Sequence, residues 1–116
     1  MKKIIAFLGA SAVLMGALGA HTLQNVLSSQ EMNSFKTAVL YQLMHSVALL
    51  AIAKSDAPKV SSILWVLGIL FFSFSIYLLV FDRFLGIDLG FLGPITPLGG
   101  VLFVAGWLSL WTSNRA

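Results

Sequence analysis

The sequence predicts an all-α membrane protein: one domain, an antiparallel up-down bundle of four transmembrane helices. Three observations carry this. Of the 116 residues, 59% are hydrophobic and 9% charged, against about 25% charged in a soluble domain. So few charges cannot cover a water-facing surface, and the mean hydropathy of +0.96 agrees. Four apolar runs without a charge stand out: Ile4 to Leu23, Thr37 to Ala53, Val60 to Phe81 and Ile95 to Trp111. Each fits the roughly 17–25 residues that cross a hydrocarbon core. Lastly, the seven Lys and Arg lie singly or in pairs outside these runs. That is the placement of topogenic charges rather than of a nucleic-acid groove.

Taken in order, the helices are expected over 4–23, 29–53, 57–81 and 96–113. The first run, behind Lys2 and Lys3, also has the layout of a signal peptide, with Ala17-Leu18-Gly19 as a cleavage region; it is read as a retained helix. Ser28 and Glu31 form a capping box, so the second helix starts early, with a turn or two in the outer interface. Asp56-Ala57-Pro58 opens the third helix. Thr96-Pro97 reads as an N-cap followed by a proline at the first helical position. The apolar, glycine-rich stretch between Asp82 and Pro94 is expected to fold back onto the membrane surface.

Orientation follows from charge. With the N-terminus cytoplasmic, Lys2, Lys3, Lys54, Lys59 and Arg115 are inside and Lys36 and Arg83 outside, so the positive-inside rule gives both ends cytoplasmic. Trp65, Trp107 and Trp111 then fall toward the inner ends of their helices, as an interfacial belt would.

Small residues mark packing faces. Ala12, Gly16 and Ala20 recur every fourth residue on the first helix, and Gly99 and Gly100 lie early in the fourth. Such stripes let backbones approach where lipid supplies no hydrophobic force. Polar side chains within the spans mark a second feature. Counting 1.5 Å per residue from Thr37, Tyr41 and His45 lie about 6 and 12 Å deep, and Tyr77 and Ser73 match them counting back from Phe81. With Gln42, with His21 near the outer end of the first helix and with Thr96, they suggest one cluster in the outer half. Intramembrane ionisable residues are functional candidates, but interhelical polar contacts are common as packing glue, and that is the reading favoured for the cluster.

Several chemistries find little support. The absence of cysteine removes disulfides, thiolate catalysis and Cys-ligated metal. Haem ligated by both histidines is disfavoured by the shallower position of His21. No carboxylate accompanies the histidines for metal work, and no nucleophile elbow is present. Proton-coupled export, as in small multidrug exporters, would have to rest on His45 alone. No enzyme activity, cofactor, metal or nucleic-acid partner is expected.

Four motifs in order carry a resemblance: Gly16-Ala17-Leu18-Gly19-Ala20-His21, Phe35-Lys36-Thr37-Ala38-Val39 leading to Tyr41-Gln42-Leu43-Met44-His45, Phe72-Ser73-Phe74-Ser75-Ile76-Tyr77, and Ile95-Thr96-Pro97-Leu98-Gly99-Gly100 followed by Gly106-Trp107. Over nearly the whole chain the sequence resembles the YgdD/YwdK-like family of small bacterial inner-membrane proteins of unknown function, which has small eukaryotic transmembrane relatives. The family pattern Phe-Ser-Gly-Ser has Phe74 in place of its glycine here. The resemblance implies a multi-pass protein of the bacterial inner membrane and supplies no catalytic residues.

The expected role is that of a structural or accessory subunit or assembly partner. The alternative is a transporter or binder of a small lipophilic molecule at His21, Tyr41, Gln42, His45, Ser73 and Tyr77. Expected partners are membrane lipids, another copy of the chain or another membrane protein.

Overall fold

A computed structural model describes residues 1–112. Arg115 and residue 113, the expected end of the last helix, lie outside the described residues. Four helices are long and apolar enough to cross a membrane by length and composition. We label them α1 (Lys2–His21), α2 (Ser29–Ile52), α3 (Lys59–Leu85) and α4, whose α-helical part is Ile95–Ser109 within the span Gly90–Thr112. A 3₁₀ turn, Gly90–Leu92, leads into α4, and another, Leu110–Thr112, follows it.

The ends of the helices follow local chemistry. Ser28 Oγ accepts from the Glu31 amide at 3.1 Å, and the Glu31 carboxylate accepts from the Ser28 amide at 2.8 Å, a complete capping box. At the end of α3, Gly86 takes a left-handed φ of +71°, a conformation that penalises any Cβ. The start of α4 differs from the expected one. The helix begins at Ile95 behind Pro94, with no side-chain cap, which places Thr96 second and Pro97 third. Proline is tolerated there because the first few helical amides lack an internal acceptor in any case. The Thr96 hydroxyl is thereby released to bond another helix.

α3 is not uniform. It is α-helical over Lys59–Ile69 and Ser75–Leu85, with a π-helical segment, Leu70–Phe74, between. Two features meet at this widened turn. Ser75 Oγ donates back toward the carbonyls of Phe71 and Phe72 at 2.6 and 2.9 Å. Gly99 of α4 also lies directly on the backbone here: a Cβ at 99 would sit 2.7 Å from the Phe71 carbonyl carbon and closer still to the Phe72 amide.

Glycines set the other helix contacts as well. Gly68 of α3 receives the ring of Phe103, and Gly106 of α4 receives the indole edge of Trp65. The two helices thus interlock reciprocally, each offering a gap to the other's aromatic. On α1, Gly19 lies against Phe35, where an added Cβ would be 2.7 Å from the ring, and Gly16 lies against Val39. Ala12 is fully buried. Ala20, expected on this stripe, is exposed, and Gly19 takes its place because the contact advances by three residues there rather than four. Gly100 likewise stands off, with only Phe72 Cδ1 near at 3.9 Å.

Pairs across neighbouring helices run in opposite sequence order. Along α1 and α2 they are Gly19 with Phe35, Gly16 with Val39, and Leu8 with Gln42. Along α2 and α3 they are Glu31 with Arg83, Phe35 with Phe81, and His45 with Trp65. Along α3 and α4 they are Ser75 with Thr96, Gly68 with Phe103, and Ser61 with Ser109. One core joins all four helices through Ile5, Leu8, Leu49, Trp65, Ile69 and Phe103. A second, toward the Glu31 end, gathers Phe35, Ala38, Ile76, Tyr77 and Val80, with Leu27 from the first connection.

Candidate functional site

Gln42 is the centre of the buried polar structure. It is 0% exposed, and its amide is engaged on two sides. Nε2 donates to the Leu8 carbonyl at 2.8 Å and to Ser11 Oγ at 2.7 Å, both on α1. Oε1 accepts from the Tyr77 hydroxyl of α3 at 2.6 Å. Three helices therefore meet at one side chain. One turn on, Ser46 Oγ donates to the Gln42 carbonyl at 2.6 Å, and one turn back Ser73 Oγ donates to the Ala38 carbonyl at 2.7 Å. Thr96 Oγ1 lies 2.6 Å from Ser75 Oγ. Since the Ser75 hydrogen is directed at its own helix, Thr96 is the donor.

His45 belongs to a different neighbourhood. It is 3% exposed. Its Nδ1 lies 2.8 Å from the Tyr41 carbonyl, and Trp107 Nε1 reaches its Nε2 at 3.0 Å. An indole nitrogen is only a donor, so Nε2 is the acceptor and the hydrogen sits on Nδ1, pointing at Tyr41. Phe103 stacks on the imidazole at 3.8 Å between centroids, and Trp65 meets it edge-on at 5.8 Å. Both ring nitrogens are thereby committed, and no lone pair is left for a metal or a haem iron.

The expected single cluster thus divides in two. Gln42, Ser73 and Tyr77 come together, and Tyr41 and His45 face a separate groove. His21 is exposed at the end of α1 and reaches neither group. His45 does not bond Ser73, Tyr77 or α1, and it lies in the half of α2 away from Ser29. α2 begins at Ser29, eight residues before Thr37, so His45 lies about 24 Å from that end by rise per residue. It is level with Trp65 and Trp107. Ala38 and His45 turn inward together, whereas Tyr41 is 39% exposed. Trp65, expected in an interfacial belt, is a core residue with 0% exposure. Its indole nitrogen has no hydrogen-bond partner among the described residues. Sequence reasoning missed Ser11 and Trp107 as polar partners. Ser11 lies one position before Ala12 of the packing stripe, which was the available signal.

The groove opens between α2 and α4 over a floor made by α3. It encloses about 730 Å³, with Tyr41, His45, Phe72, Pro97, Gly100 and Trp107 among its lining residues. A third polar group holds the far end of the molecule. Arg83 Nε and Nη2 donate to the Glu31 carboxylate at 2.9 and 2.8 Å, and Nη2 also donates to the Val26 carbonyl at 3.1 Å. Among the described residues, no three His, Cys, Asp or Glu side chains gather as a metal site would require.

Comparison with known proteins places this arrangement. The family profile described as Protein of unknown function (DUF423) matches residues 15–100. The UPF0382 membrane protein of Staphylococcus saprophyticus is 38% identical, covering 93% of this chain and 93% of its own. That of Staphylococcus haemolyticus is 38% identical over 97% of this chain and 95% of its own. The UPF0382 membrane protein of Haemophilus influenzae is 36% identical over 92% and 86%. No solved structure matches significantly. The chain is a membrane protein with four apolar helices, and it belongs to the DUF423 family of proteins of unknown function.

Proposed function

We propose that the protein is a non-enzymatic accessory subunit or assembly partner in the bacterial inner membrane, of the YgdD/YwdK-like type, folded as an antiparallel bundle with both termini cytoplasmic. The opposed register of the helix pairs and the five-to-two distribution of Lys and Arg support the topology. The observation that carries the role is the closure of the Gln42 junction. Every polar atom of that side chain is taken up by another helix or by Ser11, so these groups stiffen the bundle instead of lining a path. Transport through Gln42, Ser73 and Tyr77 would require those bonds to break in hydrocarbon, at several kcal/mol for each unsatisfied group. What the protein offers a partner is its apolar exterior, where Phe7, Leu14, Val47, Leu50 and Val104 point outward.

Native electrophoresis of gently solubilised membranes tests this. A tagged copy is expected to co-migrate with another membrane protein in fixed stoichiometry, and removal of this chain should lower the partner's abundance. Migration of the chain only by itself or with its own copies would overturn the reading. Reporter fusions near Met1 and at the C-terminus should read cytoplasmic and one at Ser29 external; an external C-terminus would refute the topology.

A further inference from the structure

We infer that the groove between α2 and α4 is a binding site for a membrane-soluble molecule with a flat ring bearing oxygen, of the quinone class. Tyr41 lies near the midpoint of α2, inside its uncharged run 37–53. Its ring lies 4.8 Å from Phe72 and 5.9 Å from Phe103 between centroids. Its hydroxyl has no hydrogen-bond partner among the described residues, whereas Gln42, Ser73, Tyr77 and His45 nearby are all bonded. A hydroxyl unpaired in hydrocarbon is costly. Lipid tails carry no acceptor at that level, so an acyl chain would fill the groove without satisfying the phenol.

Three further features converge on the same wall. The π-helical segment of α3 includes Phe72, the floor of the groove; such segments recur at functional sites. Gly100 and Pro97 keep the α4 side open, and no atom but Phe72 Cδ1 approaches the space beside Gly100. Tyr41, Phe72, Phe103 and Trp107 present a nearly continuous aromatic lining, and aromatic surfaces favour a flat ring in offset or edge contact. The volume is of the size that takes a ring with part of its tail. A carbonyl oxygen on that ring would accept from Tyr41. His45 is already bonded and nearly covered by Phe103, so it lies behind the aromatic lining. This site goes beyond the accessory role, and its failure would leave that reading untouched.

The test is saturable binding of a radiolabelled decyl-benzoquinone to the protein in nanodiscs, with empty nanodiscs as background and decylbenzene as the oxygen-free competitor. Tyr41→Phe keeps the ring and loses only an unbonded hydroxyl, so the ligand-free variant should fold and be at least as stable as the parent. Quinone affinity should fall roughly 3- to 10-fold, the value of one hydrogen bond, while competition by decylbenzene stays the same. Gly100→Leu should abolish both. Absence of saturable quinone binding, equal quinone affinity in Tyr41→Phe, or disulfide-linked dimers from a single Val101→Cys variant in quinone-free membranes would each overturn the proposal, the last by showing that a second copy fills the groove.

Discussion

The indole of Trp107 donates to Nε2 of His45 at 3.0 Å, and this bond fixes the tautomer of the imidazole. In nitrogen NMR spectra of selectively labelled protein, His45 should show a protonated Nδ1 and a bare Nε2. Trp107→Phe should restore a mixture of the two tautomers. His45→Leu should cost only about 0.6 kcal/mol, the average for a membrane hydrogen bond, because leucine fits among Phe103, Trp65 and Leu49. A protonated Nε2 in the parent protein would contradict the assigned geometry.

Gln42 and Tyr77 should be energetically coupled. Tyr77→Phe leaves Oε1 of Gln42 buried without a donor, and Gln42→Leu leaves the Tyr77 hydroxyl in the same position. Each change should destabilise the bundle in detergent unfolding. The double variant should lose less than the sum by about 0.6 to 1.7 kcal/mol, the average and upper measured values for such bonds. Additive losses would mean that the bond contributes nothing.

Gly99 and Gly100 should differ sharply although they are neighbours. A methyl at 99 meets the backbone of Phe71 and Phe72, which cannot move aside as a side chain can. Gly99→Ala should cost about 3 kcal/mol, the upper end for overpacking. Gly100→Ala points into the open groove and should stay within about 0.5 kcal/mol. Thermal unfolding of the two variants side by side decides the matter.

Glu31 has two duties that salt can separate. It closes the capping box with Ser28 and holds Arg83 by two hydrogen bonds. Ser28→Ala should cost about 1 kcal/mol, as for other caps. That loss should persist at about 1 M salt, where the screening length falls to about 3 Å. The loss from Arg83→Gln is a surface effect and should shrink in the same buffer. Equal salt dependence of the two variants would show that cap and bridge act as one unit.

Much of the fold was legible because a bilayer leaves few options. Four uncharged runs and one capping box gave four helices, and Ser28 and Glu31 hold the positions their spacing implied. The start of α4 was not legible, since proline is accepted at more than one place in a first turn and Thr96 could cap or bond elsewhere. Neither was the partner of His45. Depth counted along one helix does not say which neighbouring helix faces a residue, and only the packing of α4 against α2 brings Trp107 to Nε2 of His45. Trp65 was misplaced for a related reason: a tryptophan near a helix end suits a lipid interface, and only Gly106 on a distant helix reveals that this one is enclosed. Exact packing partners depend on how far one helix slides past another, and no single-helix pattern records that.

The reciprocal fit of Trp65 into Gly106 and Phe103 into Gly68 bears on how the protein is made. α3 and α4 key into each other through side chains that find their gaps only when both helices are present, and α1 and α2 do the same through Phe35 and Gly19. The molecule is thus built from two halves joined by the short stretch 53–58. A ribosome delivers the first half whole before the second is finished. Each half can close on itself inside the insertion machinery, and the Gln42–Tyr77 and Glu31–Arg83 contacts join them afterwards. The order of synthesis therefore coincides with the order in which the glycine gaps are filled, whereas Phe35, Tyr41 and His45 of the first half meet their aromatic partners only when α3 and α4 arrive.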